Sequence, residues 1–151
     1  MNYSECIENA RTRIGNYCKA CPECNGRACK NQMPGPGAKG IGDTAIRNYD
    51  KWKEIRVQMD TIAENKPVDT SLELFGKKFL YPFFAGPVGA VGLHYGDCLD
   101  DVRYNDILVS ACAKYGIAAF TGDGLDSNVM VAATKAIGKT DGIGIPTVKP
   151  W

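Results

Sequence analysis

The second half of the chain alternates between short apolar runs and segments with helical spacing. The apolar runs 79–85 and 117–120, and a third from 143 onward, each end in small or polar residues where a loop is expected. Two segments with apolar residues at helical spacing, 102–115 and 127–137, lie between them, and a glycine follows each. Such alternation predicts an α/β fold built on a parallel sheet.

The two helices should each turn one apolar face toward that sheet. We expect the second to end at Gly138. On the first helix, the residues predicted to point inward are Val102, Ile107, Leu108, Ala111 and Cys112.

Three parallel strands form an incomplete structure. They do not close a barrel, and an open parallel edge leaves backbone groups and apolar faces without partners. We therefore expect the chain to need the remaining barrel strands from a partner, or to self-associate.

Composition and charge exclude several classes of protein. The 151 residues are 44% hydrophobic, and 18 basic against 17 acidic side chains give a net charge of +1. A chain with this charge balance lacks the excess of basic residues that binding to nucleic acid or to an anionic membrane requires. The N-terminal MNYSECIENARTR lacks the apolar core of a signal peptide, and no apolar run approaches a membrane-spanning length. We expect a cytoplasmic protein.

The first part of the chain, 1–71, is predicted to be a helical segment with a cysteine cluster and a Pro/Gly-rich loop, whereas 72–151 holds the first βα units. One helix is expected over 4–16, with Ser4 as its N-cap. A second is expected over 44–59, capped by Asp43 and with Trp52 in the core. The sequence 72-LELFGKKF predicts a hairpin that turns at Gly76-Lys77.

Seven cysteines are many for a chain of this length. Four of them, Cys18, Cys21, Cys24 and Cys29, follow the spacing C-x2-C-x2-C-x4-C. Four thiolates can complete a tetrahedral zinc or iron–sulfur site. Free thiols, or a regulatory disulfide between neighbours, remain open alternatives. Cys112 is expected to be a small core residue and Cys98 a loop thiol.

The carboxyl ends of the three strands are where a ligand should bind, since βα folds place their sites there. The loops are 85–90, 121–124 and 149–151. The first two are rich in glycine, which lets the backbone approach a flat or phosphorylated ligand closely. These features suit a planar, anionic cofactor.

Several motifs occur in the order found in one enzyme family. The segments 41-IGDTAIRNYDKWKEIRVQMDTI, 72-LELFGKKF and 82-PFFAGPVGA resemble the N-terminal part of the FMN-dependent α-hydroxy-acid oxidising enzymes, which include lactate and glycolate oxidases. The motifs 118-AAFTGDG and 145-IPTVKPW are similar to the second and third barrel strands. The resemblance extends to a subgroup of anaerobic bacterial proteins with a cysteine-rich N-terminal segment. The resemblance implies the N-terminal portion of a TIM (β/α)8 barrel, with about three parallel strands, preceded by a helical, Cys-rich segment.

The resemblance also implies FMN as cofactor and a small, lactate-like L-2-hydroxy acid as substrate, oxidised to the 2-oxo acid. Thr121 would lie near the pyrimidine side of the flavin, and Lys149 would replace a glutamine that bonds the pyrimidine carbonyls. Trp151 would stand near a tyrosine that shapes the substrate pocket. Four residues would lie against the isoalloxazine ring: Ala85, Gly86, Pro87 and Val88.

The chain departs from the family at its catalytic residues. The family's base is a histidine in an Asn-His-Gly-Gly type motif, which does not occur in these 151 residues, and the phosphate site lies in late strands. An early active-site tyrosine would fall near Gln32-Met33, where the sequence has none. The one histidine, His94, is expected to be a partly exposed loop residue. No catalytic residue is therefore assigned, and the chain alone is expected to be inactive.

Two other interpretations stay open. One is a flavoprotein like type 2 isopentenyl-diphosphate isomerase, which shares the barrel and a glycine-rich first loop but has a signature absent here. The other is a small metal-binding or interaction module in which the four cysteines are the functional part.

Overall fold

The structure, a computed structural model, describes residues 2–15, 17–30 and 43–149. The chain divides into two compact units. The first comprises Met1–Asn65 and Gly92–Cys98, and the second comprises Lys66–Val91 and Leu99–Trp151. In the described residues, no helix is both long and apolar enough to span a bilayer.

The second unit contains the predicted parallel sheet. Its strands are β3 (Phe84–Ala85), β4 (Ala118–Phe120) and β5 (Gly144–Ile145), paired side by side in chain order. Ala118 and Ala119 are both fully buried, as expected for a central strand covered on both faces. The predicted α/β class and parallel sheet are thus confirmed, and the described residues form no closed barrel.

Two helices join these strands and pack on each other. Helix α4 (Asp101–Tyr115) begins at the N-cap Asp100, whose carboxylate accepts the Arg103 N–H, and ends at Gly116 with φ 67°. Helix α5 (Ser127–Gly138) has Asp126 as its N-cap. It runs through Gly138 to a cap at Lys139, so the predicted stop is one residue early.

The predicted inward face of α4 is confirmed only in part: Cys112 is buried and Leu108 packs against the core, whereas the other three residues do not. Val102 and Ile107 are 39% and 49% exposed, and Ala111 is exposed too. The buried line is instead Asn105, Val109 and Cys112, which are spaced by four and then three residues. The buried face of α4 is therefore rotated from the predicted one, and it includes the polar side chain of Asn105.

The predicted first strand is shorter than its apolar run. Only Phe84 and Ala85 pair with β4, and Phe79 belongs to the hairpin instead. Pro82 has no N–H to donate to a strand ladder, which explains why an apolar run of this length does not extend as one strand. Tyr81 and Phe83 are exposed and stack on each other, with ring centroids 5.5 Å apart.

The predicted hairpin is present. Strands β1 (Leu72–Leu74) and β2 (Lys77–Phe79) pair antiparallel, with Leu74 opposite Lys77. The turn consists of Phe75 and Gly76, at φ 53° and 71°, rather than Gly76-Lys77. Two consecutive left-handed residues are the two-residue turn that matches strand twist.

The first unit contains helices α1 (Tyr3–Arg11) and α2 (Asp43–Lys51) and the short helix α3 (Val91–Tyr95) from Gly92 onward. The N-cap of α1 is Asn2, not Ser4, and it forms a reciprocal capping box with Glu5. Asp43 already lies in the first turn of α2 rather than capping it.

Both of these helices are shorter than predicted. After Arg11 the chain turns at Gly15, which packs on Gly96 and donates its N–H to the carbonyl of Tyr95. Helix α2 gives way to a 3-10 turn over Trp52–Glu54, and Trp52 is 74% exposed instead of lying in the core. The apolar residues beyond it are exposed too, so no tertiary packing supports a longer helix.

The core of the second unit lies between the sheet and its helices. Val109, Cys112, Ala119 and Ala136 are its buried members, so Cys112 is a core residue, as predicted. Burial raises the pKa of the Cys112 thiol. Cys98 is exposed, as predicted for a loop thiol.

The contrast between these two thiols predicts their alkylation rates. Cys112 should react with iodoacetamide only when the unit unfolds, because the reagent needs an accessible thiolate. Cys98 should react at once. Mass spectrometry of peptides along a urea series measures both. Equal rates in the absence of urea would mean that α4 does not pack as described.

Candidate functional site

The carboxyl ends of β3, β4 and β5 belong to the same unit, and their loops form the candidate site. The loop after β3 begins with Ala85, which is half-buried, and continues through the exposed Gly86 and Pro87 to the half-buried Val88. A Cβ placed on Gly86 would meet no atom within 4 Å. The space beside Gly86 is therefore open, so that a ligand could approach the backbone closely there.

The loops after β3 and β4 contact each other backbone to backbone. A Cβ on Gly122 would lie 1.8 Å from the Val88 carbonyl oxygen. A Cβ on Gly89 would lie 2.4 Å from the Asp123 carbonyl oxygen. A larger residue would not fit at either contact without movement of the backbone, so glycine at these two positions allows the loops to come this close.

A buried asparagine forms hydrogen bonds to the backbone of the loop after β4. Asn105, on α4, is completely buried, and its side-chain oxygen accepts the Gly122 N–H at 2.9 Å. Its amide nitrogen donates to the Gly122 carbonyl at 3.4 Å. One side chain thus satisfies both polar groups of this residue's backbone, which is the arrangement that a buried loop needs.

Thr121, which precedes Gly122, has a buried side-chain oxygen that forms no hydrogen bond to the described residues. Its backbone N–H pairs with the Ile145 carbonyl at 3.0 Å, and its side chain is 0% exposed. Its hydroxyl has no hydrogen-bond partner among the described residues. Because buried hydroxyls are nearly always paired, this one is suited to a polar group on a ligand.

An ion pair links the second loop to the chain beyond β5. The ammonium of Lys149 lies 2.8 Å from Oδ1 of Asp123, whose side chain is only 9% exposed, while the lysine is 57% exposed. The Lys149 ammonium therefore lies at the surface, next to a nearly buried carboxylate. Asp123 was not anticipated from the sequence, and its position directly after a strand-end glycine is the signal that could have identified it.

A cavity of about 280 Å³ opens beside this ion pair. Its size would accommodate only part of a dinucleotide- or flavin-sized ligand, since complete cofactor pockets run to several hundred Å³ or more. The lining residues are Asp123, Gly124, Leu125, Asp126, Ser127, Met130, Val148 and Lys149.

The remaining site predictions fall elsewhere. Trp151, predicted in the substrate pocket, and the Gln32-Met33 position lie outside the described residues. His94 is half-buried and belongs to α3 rather than to a loop.

The four clustered cysteines lie in the first unit, in the segment 17–30. Cys18, Cys21 and Cys24 are free thiols, and the Cys29 thiol contacts the Gly26 carbonyl at 3.9 Å. Burial raises the pKa of the Cys29 thiol, and charge on Cys24, Cys18 and Cys21 raises it further. Among the described residues, no group of three or more His, Cys, Asp or Glu side chains is placed to hold a metal ion.

Comparison with known families identifies the chain as follows. No curated protein and no solved structure matches it. The family model described as FMN-dependent dehydrogenase matches residues 35–140, which is more than half of the chain. The match includes both glycine-linked loops and stops short of Lys149, and the cysteine segment lies before it. On this match, the chain belongs to the FMN-dependent dehydrogenase family.

Proposed function

We propose that this chain forms one wall of the flavin site of an enzyme that oxidises a lactate-like L-2-hydroxy acid to the 2-oxo acid. The observation that carries the proposal is the buried, unpartnered hydroxyl of Thr121, which lies inside the family match at the carboxyl end of a parallel strand. Family membership implies FMN as the cofactor.

The residues at the strand ends fit such a cofactor. The backbone from Ala85 to Val88 offers an open surface for the flat ring, and the Thr121 hydroxyl offers a hydrogen bond to its polar edge. Lys149 supplies a cation next to the nearly buried Asp123. Trp151 is proposed as part of the substrate pocket, from the resemblance alone.

The chemistry divides between the cofactor and the protein. FMN, when bound, accepts the two electrons that leave the hydroxyl-bearing carbon. The protein's residues would exclude water, orient the ring and balance its charge, and the ammonium of Lys149 would do the last of these. The proton of the substrate hydroxyl needs a base, and the family's histidine motif is absent from these 151 residues. We therefore propose that further barrel strands from a partner supply this base and complete the site in the cytoplasm. Self-association would cover the open edge of the sheet without supplying the base.

The function is tested on the assembly that forms in cells. The chain is purified without oxygen through a tag, so that any polypeptide that completes the barrel stays bound. We expect a flavin absorption band that bleaches on addition of L-lactate or another L-2-hydroxy acid, and persists with the D-isomer. A preparation without flavin, or a flavin that no L-2-hydroxy acid reduces, would contradict the proposal.

Thr121→Val separates a ligand-binding hydroxyl from a structural one. The change removes a buried polar group that has no partner, so the free energy of unfolding without FMN should stay equal or rise by about 1 kcal/mol. The same change should weaken FMN binding roughly 3- to 10-fold, the value of one hydrogen bond.

Equilibrium dialysis and urea unfolding measure the two effects. The control is Thr134→Val, because the Thr134 hydroxyl donates to the Val131 carbonyl on the exposed side of α5. It should leave FMN binding unchanged. If Thr121→Val destabilises the chain and leaves FMN binding intact, the hydroxyl does not serve the flavin.

A further inference from the structure

The outer sides of α4 and α5 form a groove of about 410 Å³. Its apolar lining residues are Val102, Val131 and Ala132. Val102 and Val131 are 39% and 49% exposed, so neither is part of the core. Within the described ranges, the groove shares no lining residue with the cavity beside Lys149. It is therefore a second apolar surface, separate from the candidate flavin site.

The groove also carries an excess of positive charge. Arg103, Lys135 and Lys139 line it together with a single carboxylate, that of Asp106. Asp106 pairs with Lys139, at 3.1 Å between Oδ1 and the ammonium. Among the described residues, Arg103 and Lys135 have no carboxylate partner. Two cations thus remain unneutralised beside apolar side chains, which suits an apolar segment that carries two carboxylates.

A segment of the same chain has this composition. Residues 55–71 contain no helix or strand. Within them lies the sequence 59-MDTIAE, which we call the arm. Its apolar side chains, Met59 and Ile62, are 86% and 96% exposed. Its carboxylates, Asp60 and Glu64, flank Ile62. Large apolar residues that are exposed close together mark an interaction site, and a single chain leaves these two uncovered.

The arm matches the groove in length as well as in charge. The lining residues of α5 run from Asn128 to Lys139, a distance of about 17 Å along a helix. An extended chain advances about 3.3 Å per residue, so about five residues span this distance. The arm has that length, with its two negative charges against the two excess positive charges of the groove.

We propose that the arm of one copy of the chain lies in the α4–α5 groove of a second copy. Met59 and Ile62 would cover the apolar lining, and the two carboxylates of the arm would pair with Arg103 and Lys135. Neither surface includes a loop at the strand ends, so this contact is independent of the proposed function.

Ile62→Asp tests the apolar part of the contact. Because Ile62 is 96% exposed in the single chain, the change should leave the urea midpoint of the chain as it is. Sedimentation velocity of the full chain over a concentration series should show association, with an association constant roughly 10-fold lower in the variant. The control is Val68→Asp, which changes an apolar residue that is 85% exposed but lies outside the arm. It should associate as the wild type does.

Charge reversal on separate copies tests the choice of a second copy. One copy carries Arg103→Glu with Lys135→Glu in its groove, and the other carries Asp60→Lys with Glu64→Lys in its arm. Each alone should associate roughly 10-fold more weakly than the wild type, because like charges would meet in both contacts. Mixed, the two copies should associate again, since both contacts then join opposite charges. Lys114→Glu, an exposed change on α4 outside the groove, is the control and should have no effect.

Three results would overturn the proposal. The first is a wild-type chain that stays monomeric at every concentration, which would also be the result if the arm occupied the groove of its own copy. The second is association that Ile62→Asp and Val68→Asp affect equally, as expected if copies join only through the edges of the sheet. The third is a mixture of the two charge-reversed copies that associates no better than either alone.

Discussion

Gly122→Ala is expected to destabilise the second unit by on the order of 4 kcal/mol or more, the largest effect of any single methyl group in this unit. The added Cβ would lie 1.8 Å from the Val88 carbonyl oxygen and 2.5 Å from its carbonyl carbon. Both atoms are backbone, so no side-chain rotation can relieve the contact. The two loops would have to separate, and the buried Asn105 side chain would then lose its hydrogen bonds to the Gly122 backbone.

Urea unfolding followed by circular dichroism measures this loss. The matched control is Gly124→Ala in the same loop, where the added Cβ would lie 3.5 Å from a methyl group of Val129, an ordinary contact. We expect that control to unfold within about 1 kcal/mol of the wild type. Equal stability of the two variants would show that the loops do not touch as described.

Asn105→Leu is expected to cost about 2–4 kcal/mol. Leucine has the same branched side-chain shape, although it is larger, and it suits the apolar surroundings of Val109 and Cys112, so hydrophobicity alone would predict a gain. The loss arises because the buried Gly122 N–H and carbonyl would both lose their partner. A polar residue is therefore more stable than an apolar one at this position.

Asn105→Asp gives this prediction a pH dependence. The carboxylate keeps an acceptor for the Gly122 N–H but loses the donor for its carbonyl, and a charge would be buried. Burial raises the carboxyl pKa in the folded state, so stability is present below the unfolded pKa and falls as pH rises through the folded one. The variant should therefore unfold more easily at neutral pH than at pH about 4.

Urea midpoints at the two pH values test this, relative to the wild type at each. Asn128→Asp is the control, since Asn128 is exposed in the first turn of α5, where a carboxylate is tolerated. If the urea midpoints of Asn105→Asp change as those of the control do at both pH values, the Asn105 side chain does not bond the Gly122 backbone as described.

The predictions from sequence succeeded where the physical cause is local. Apolar runs separated by helical spacing gave the parallel order of β3, β4 and β5, because strands joined by helices can pair in few other ways. The left-handed glycine that ends α4 and the hairpin before β3 were also predicted correctly, since each depends on a few adjacent residues. The loops at the strand ends followed from the same alternation.

Local patterns failed where packing decides. Helical spacing fixes a period and not the side that is covered, so α4 was predicted with Val102 and Ile107 inward. Trp52 was placed in a core because large aromatics usually bury, yet no described residue covers it. A single polar residue among the apolar positions of α4, Asn105, was the signal that its phase was different.

By itself, then, the sequence determined the α/β class, the parallel order of the three strands and the hairpin before them. Only the tertiary structure decided that Asn105 holds Gly122, that Val88 touches Gly122, and that Lys149 pairs with Asp123. Each of these contacts joins residues 17 to 34 positions apart. Such contacts depend on how helices and strands pack in three dimensions, and no pattern within one segment contains that information.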